Sequence, residues 1–218
     1  MNSKAVKALI QKDLLTEWRI RYTINGVLIH TISSVFIVFL SLKTMNAPTW
    51  NAVFWIILLF AATNAVAKGF IGESKGRMLY FYHICSPTEI IVAKIIYNTL
   101  LMICIALICF GVYVIVLDNF AHHLGYYLLT ILLGSVGFSS SFTIISSIAS
   151  KSGNGHLLMP VLGFPIIIPL LLILIKASKK AMDGIDISLL IPDLLVLVAY
   201  NIIIILLGYL LFPYLWKD

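Results

Sequence analysis

The stretch IIVAKIIYNTLLMICIALICFGVYVIVL, residues 90–117, decides the fold. Its one charge, Lys94, sits near its start; everything after it is neutral and mostly aliphatic. A helix needs about 20 apolar residues to cross a bilayer core, whereas a water-facing helix of this length would show a polar face. Five further runs share the pattern: Tyr22–Leu42, Trp50–Ala67, Leu124–Ser150, His156–Ile175 and Leu194–Trp216. Over the 218 residues, 61% are hydrophobic and only 11% charged. The expectation is an all-α integral membrane protein with six transmembrane helices. The longest polar piece, Lys68–Glu89, is too short to fold alone. Residues 1–218 therefore read as a single transmembrane domain, and any large soluble machinery must come from another chain.

The net charge of +6 fits that reading. In a membrane protein, Lys and Arg mark the cytoplasmic side and contact anionic lipid, so nucleic-acid binding is excluded. Lys4, Lys7, Lys12, Arg19 and Arg21 precede the first span, and Lys68, Lys75, Arg77 and Lys94 lie between the second and third. Lys151 and Lys217 fall on the same side. The opposite side has Lys43 and one discordant cluster, Lys176, Lys179 and Lys180. The balance places both termini in the cytoplasm. Trp18, Tyr22, Tyr214 and Trp216 would form the inner aromatic belt, and Trp50, Tyr126 and Tyr127 the outer one. The first apolar run is too long for a cleavable signal, and no clear cleavage site follows it.

Two segments lie outside the predicted spans. In residues 3–21, Val6, Leu9, Ile10, Leu14 and Trp18 recur at helical spacing. This predicts an amphipathic helix in the inner headgroup plane, serving either as an elbow that braces a moving bundle or as an insertion anchor. The other segment, residues 68–89, is expected in the cytosol. Gly69, Gly72 and Gly76 interrupt its first part, and Arg77–Ile84 is short, basic and aromatic. Ser86-Pro87-Thr88-Glu89 then has the form of a capping box, with proline at the first helical position. The third helix should therefore start at Pro87 and project beyond the apolar core. Met78, Leu79, Tyr80, Phe81 and Tyr82 need a cover. They read as a docking knob for a soluble partner, or else as an ordinary loop.

Polar and helix-breaking residues inside the spans give the remaining clues. Ser135, Ser139, Thr143 and Ser147 recur every fourth residue beside Gly134 and Gly137. Small residues so placed let helices pack closely; a polar translocation surface is the alternative. Pro160, Pro165 and Pro169, with Gly163 among them, predict bends in span five, either as a static kink or as a hinge. No span carries a well-centred ionisable residue, which argues against a proton- or sodium-driven transporter. Asn201 and His30 read as packing or interhelical hydrogen-bonding residues. His122 and His123 adjoin Asp118, but neighbouring histidines point apart on a helix and make poor joint ligands. Cys85, Cys104 and Cys109 form no metal or haem-attachment motif. No phosphate-binding loop occurs, since Gly72–Arg77 lacks the spacing and the hydroxyl. No catalytic or metal-ligating residue is apparent.

Over nearly its whole length the chain resembles the haem exporter protein B (CcmB) family of cytochrome c maturation, a branch of the ABC-2-type permeases. The carriers are KDLLTEWR (12–19), Glu73…Gly76…Leu79 leading into CSPTEIIVAK (85–94), LLGSVGFSSSF (132–142) and KSGNGHLLMPVLGFPIIIPLLL (151–172). The loop departs from the family in having Glu73 as its single acid before Ser86. The resemblance implies an ABC-2-type bundle in the bacterial inner membrane, present in two copies. It implies pairing with a cytosolic CcmA-like ATPase, with CcmC- and CcmD-like haem-handling membrane proteins, and with a CcmE-like haem chaperone. ATP would bind the partner only, no cofactor would be held firmly, and haem would be the transported or handled ligand. Glu73, Gly76, Arg77, Leu79, Tyr80, Phe81, Tyr82 and Pro87 would form the coupling and stalk region. An ABC-2-type exporter of a lipid, glycan or drug is the competing reading, and a non-transporting anchor that only recruits partners is a third.

Overall fold

In a computed structural model, residues 3–20, 22–41, 44–66, 86–151 and 155–217 are described. Among them are seven helices and no strand: α1 (Ser3–Ile20), α2 (Tyr22–Ser41), α3 (Ala47–Val66), α4 (Pro87–Leu117), α5 (Leu124–Ser150), α6 (Gly155–Met182) and α7 (Ile187–Lys217). Five of them, α3 to α7, are long and apolar enough to cross a membrane. The first expected span falls on the 20-residue helix α2, which is not among those five.

α5 is the axis of the bundle. It packs against α3, α4, α6 and α7, and its residues from Gly134 to Ser147 are almost entirely buried. Glycine makes this possible at two places. A methyl group on Gly134 would come within 2.9 Å of both Leu174 and the Trp55 ring, and one on Gly137 within 2.9 Å of Leu170 and of Asn201 Oδ1. The other helices turn one face to α5 and leave the opposite face exposed, as with Val161, Phe164 and Leu172 of α6. That distribution suits a bundle whose solvent is lipid, where the inside is packed and the outside is equally apolar.

Two expected boundaries move. Span five was expected to end at Ile175, yet α6 runs on to Met182, and α7 starts at Ile187 rather than Leu194. The reason is Asp193. Its carboxylate meets Lys180 Nζ at 2.6 Å and Lys176 Nζ at 3.2 Å. The two lysines lie one helical turn apart, so one carboxylate pairs with both. Lys180 also donates to the Leu189 carbonyl at 3.0 Å. The helix then stops at Gly184, whose φ of 67° supplies the left-handed turn, with Ile185 N–H closing back on the Lys180 carbonyl. The discordant lysine cluster is thus not a loop but a helix end pinned to its neighbour.

α1 is helical over the expected residues. The stripe Val6, Leu9, Ile10, Leu14, Trp18 does not form a single buried face. Val6 is buried and Leu9 packs onto Ile90, Ile91, Ile95 and Phe212, whereas Leu14 and Trp18 are exposed. The docked face continues through Asp13, which pairs with Lys94 of α4 at 3.2 Å. α1 is therefore laid against the start of α4 as well as leaving an apolar face outward.

Candidate functional site

The first candidate region is the start of α4. Ser86 is extended (φ −73°, ψ 149°) and caps the helix; its N–H donates to Glu89 Oε2 at 3.1 Å, and Pro87 is the first helical residue. Proline costs nothing there, because that N–H has no helical partner anyway. α4 then runs 31 residues, or about 46 Å, against a hydrocarbon core of about 30 Å. Glu73, Gly76, Arg77, Leu79, Tyr80, Phe81 and Tyr82 lie outside the described residues. Of the predicted docking set the structure places Pro87 alone, at the tip of a rigid helix.

The second region is the α5 face. Ser135, Ser139, Thr143 and Ser147 are all buried. Their hydroxyls bond back to carbonyls of α5 itself, Ser135 to Ile131 at 2.8 Å and Ser147 to Ile144 at 2.7 Å. Two of them also cross to α4: Asn98 Nδ2 donates to Thr143 Oγ1 at 2.7 Å, and Thr99 Oγ1 lies 2.6 Å from Ser139 Oγ. Asn201 of α7 donates to the Leu133 carbonyl at 3.0 Å. Through these bonds the α5 face is tied to α4 and α7.

The third region is the proline stretch. α6 is helical through Pro160, Gly163, Pro165 and Pro169. Gly163 is buried, while Pro165 and Pro169 face outward. Each proline withholds a backbone N–H from the carbonyl four residues earlier. The stretch is supported from α7, where Tyr200 donates to the Ile166 carbonyl at 2.8 Å with Ser141 Oγ 3.2 Å from its hydroxyl. That three-helix contact was not legible in the sequence.

At the opposite end of the bundle from Ser86 sits an aromatic knot that sequence reading missed. Trp50 and Tyr127 were expected in a lipid-facing belt, but both are fully buried together with Phe54, Trp55 and Tyr113. Trp50 and Tyr113 meet edge to face at 4.9 Å, and Phe110 stacks on Tyr127 at 5.5 Å. Asn51 ties the knot: it donates to the Ile175 carbonyl of α6 and accepts from the Tyr127 hydroxyl, both at 3.1 Å. Tyr113 donates to the Trp50 carbonyl at 2.9 Å. His122 is exposed and His123 half-buried, with His123 N–H bonded to the Ala181 carbonyl. No group of three or more metal-ligating side chains occurs among the described residues. Cys109 is buried and Cys104 exposed.

Long apolar helices around a buried axial helix, with polar groups spent on helix contacts, define a multi-pass membrane subunit. The chain belongs to the CcmB family: the family model described as CcmB protein matches residues 4–213. Membership makes it the membrane component of a haem-exporter ABC system for cytochrome c maturation, partnered with the CcmA ATPase and other Ccm components in the bacterial inner membrane. Subunits of this family are transporter permeases and generally non-catalytic. Neither the comparison with curated proteins nor that with solved structures finds a match.

Proposed function

We propose that this chain couples ATP hydrolysis on a separate CcmA-like subunit to haem export or to release of a haem-loaded CcmE-like chaperone. It would act as a homodimer beside CcmC- and CcmD-like proteins, with both termini in the cytoplasm. The observation that carries this reading is the filled axis of the bundle. α5 is packed on four sides, and Leu174, Trp55, Leu170 and Asn201 leave no room for a side chain at Gly134 or Gly137. A subunit packed this way transmits movement between its ends. Haem is then a cargo handled at the surface of this chain and with its partners, and no cofactor is held firmly within it.

In this reading Glu73, Gly76, Arg77, Leu79, Tyr80, Phe81 and Tyr82 dock the ATPase, and Pro87 opens the stalk. Span five flexes about Pro160, Gly163, Pro165 and Pro169, while Ser135, Ser139, Thr143 and Ser147 keep α5 packed. The test is Tyr80→Asp and Phe81→Asp in the intact complex. Normal insertion of the chain, with loss of ATPase binding or of ATP-driven output, is expected. Full ATPase assembly and full output in both variants would overturn the docking assignment. Normal cytochromes without this chain, together with export of a lipid, glycan or drug, would replace haem as the cargo.

A further inference from the structure

We propose that Asp13 and Lys94 are positioning residues that lock α1 to the stalk of α4, so that a displacement delivered at Ser86 moves both helices as one body. The inference rests on the coupling reading above and adds the connection through which the stalk reaches the rest of the bundle.

Three observations converge on this pair. The first is its geometry: Lys94 Nζ lies 3.2 Å from Asp13 Oδ2, with side-chain exposures of only 10% and 13%. Taking two charges out of water is costly unless they are well paired, and an apolar contact would fill the same space. What an apolar contact lacks is direction. Val6 and Leu9 alone would hold α1 to α4 by a force with no preferred register, whereas a charge-assisted hydrogen bond fixes which turn of α1 meets which turn of α4.

The second is position. Lys94 is seven residues beyond Pro87, about 10 Å along the helix. α4 exceeds the hydrocarbon core by about 16 Å, more than the distance from Pro87 to Lys94. The contact extends beyond one bond, since Leu9 packs on the cluster of Ile90, Ile91 and Ile95 of α4.

The third is what lies behind the pair. α1 leads directly into α2. Leu9 packs on a cluster that joins Ile90, Ile91 and Ile95 of α4 to Phe212 of α7. The α1–α4 unit therefore touches the end of α7 and is covalently continuous with α2. Without the lock, α4 could tilt while α1 stayed with the bilayer, held by exposed Leu14, Leu15 and Trp18.

The test uses the whole complex in membranes. Asp13→Asn, Lys94→Gln, Lys94→Arg and the swap Asp13→Lys with Lys94→Asp are compared for complex assembly, ATP hydrolysis and covalent haem on c-type cytochromes. The expected result is that the two neutral variants assemble and hydrolyse ATP, while output per ATP falls about tenfold. Lys94→Arg and the swap should recover most of that output. Wild-type output per ATP in both neutral variants would overturn the proposal. So would a parallel loss of assembly, hydrolysis and output that the swap leaves unrepaired, since that marks a folding role. If the wild-type complex hydrolyses ATP with no effect on haem, the coupling reading itself fails, whatever these variants do.

Discussion

Adding one methyl group at Gly134 should destabilise the bundle, although alanine is the better helix former. The methyl would sit 2.9 Å from Leu174 Cδ2 and 2.9 Å from Trp55 Cζ3. Leu174 is fully buried and has little room to turn. Trp55 is a rigid ring held by its Nε1–H bond to Ser178 Oγ at 2.8 Å and by an edge contact to Phe54 at 5.3 Å. Overpacking of this kind costs about 1–3 kcal/mol, against a propensity gain of about 1 kcal/mol for replacing glycine inside a helix. The net is a loss of up to about 2 kcal/mol. Gly111 is the internal control, because its methyl would meet nothing within 4 Å, so Gly111→Ala keeps the propensity gain. At about 2–4 °C per kcal/mol for a chain of this size, the two variants should melt on opposite sides of the wild type. Thermal unfolding of the purified protein in one detergent checks this. A Gly134→Ala melting point equal to or above that of Gly111→Ala would refute the account of α5 as a tightly packed axis.

Other expectations use the same assay. Asn98→Ala should cost about 1 kcal/mol by removing the bond that ties α4 to Thr143, whose hydroxyl keeps its own bond to the Ser139 carbonyl, and Asn98→Leu with Thr143→Val should recover part of it; strict additivity of the two single changes would show that the 2.7 Å bond contributes nothing. Asp193→Asn should cost about 1 kcal/mol, because it leaves Lys176 and Lys180 without their shared counter-charge while both still reach water, and neutralising both lysines in that background should restore the melting point. Asp118 has φ 61° and ψ 172°, a conformation costing a non-glycine residue about 1–3 kcal/mol. Asp118→Gly should therefore stabilise by about 1 kcal/mol after the chain-entropy penalty. Gly163→Ala has room, its nearest neighbour being 3.6 Å away. An unchanged melting point with reduced cytochrome maturation would mark Gly163 as a hinge, and unchanged maturation would mark the proline stretch as a static kink.

Much of the architecture was legible because a bilayer imposes a length on apolar runs. α5 was placed at its observed ends, and Ser86-Pro87-Thr88-Glu89 located the start of α4 ahead of its apolar core. Charge misled at the end of α6. Lys176 and Lys180 look like loop residues when read alone, and only the fold shows Asp193 beside them. Two members of the expected outer aromatic belt turned inward for a related reason. Trp50 and Tyr127 have the composition of interfacial residues, but Asn51 gives Tyr127 an internal partner and the Trp50 carbonyl accepts from Tyr113, so both rings turn inward. Asn98 was visible as a polar residue in an apolar helix, yet its partner Thr143 is on another helix, and a single sequence carries no record of which faces meet. The docking segment at residues 73–82 was legible as chemistry alone, as a basic aromatic cluster in need of a cover.

The central claim is that this chain drives a haem-handling step of cytochrome c maturation. A strain lacking the chain, its membranes separated on a denaturing gel and stained for covalently bound haem, tests it most directly. The account predicts loss of the mature c-type cytochromes, with haem accumulating on the chaperone and both signals restored by the intact gene. Mature cytochromes at wild-type levels in the deletion strain would contradict it.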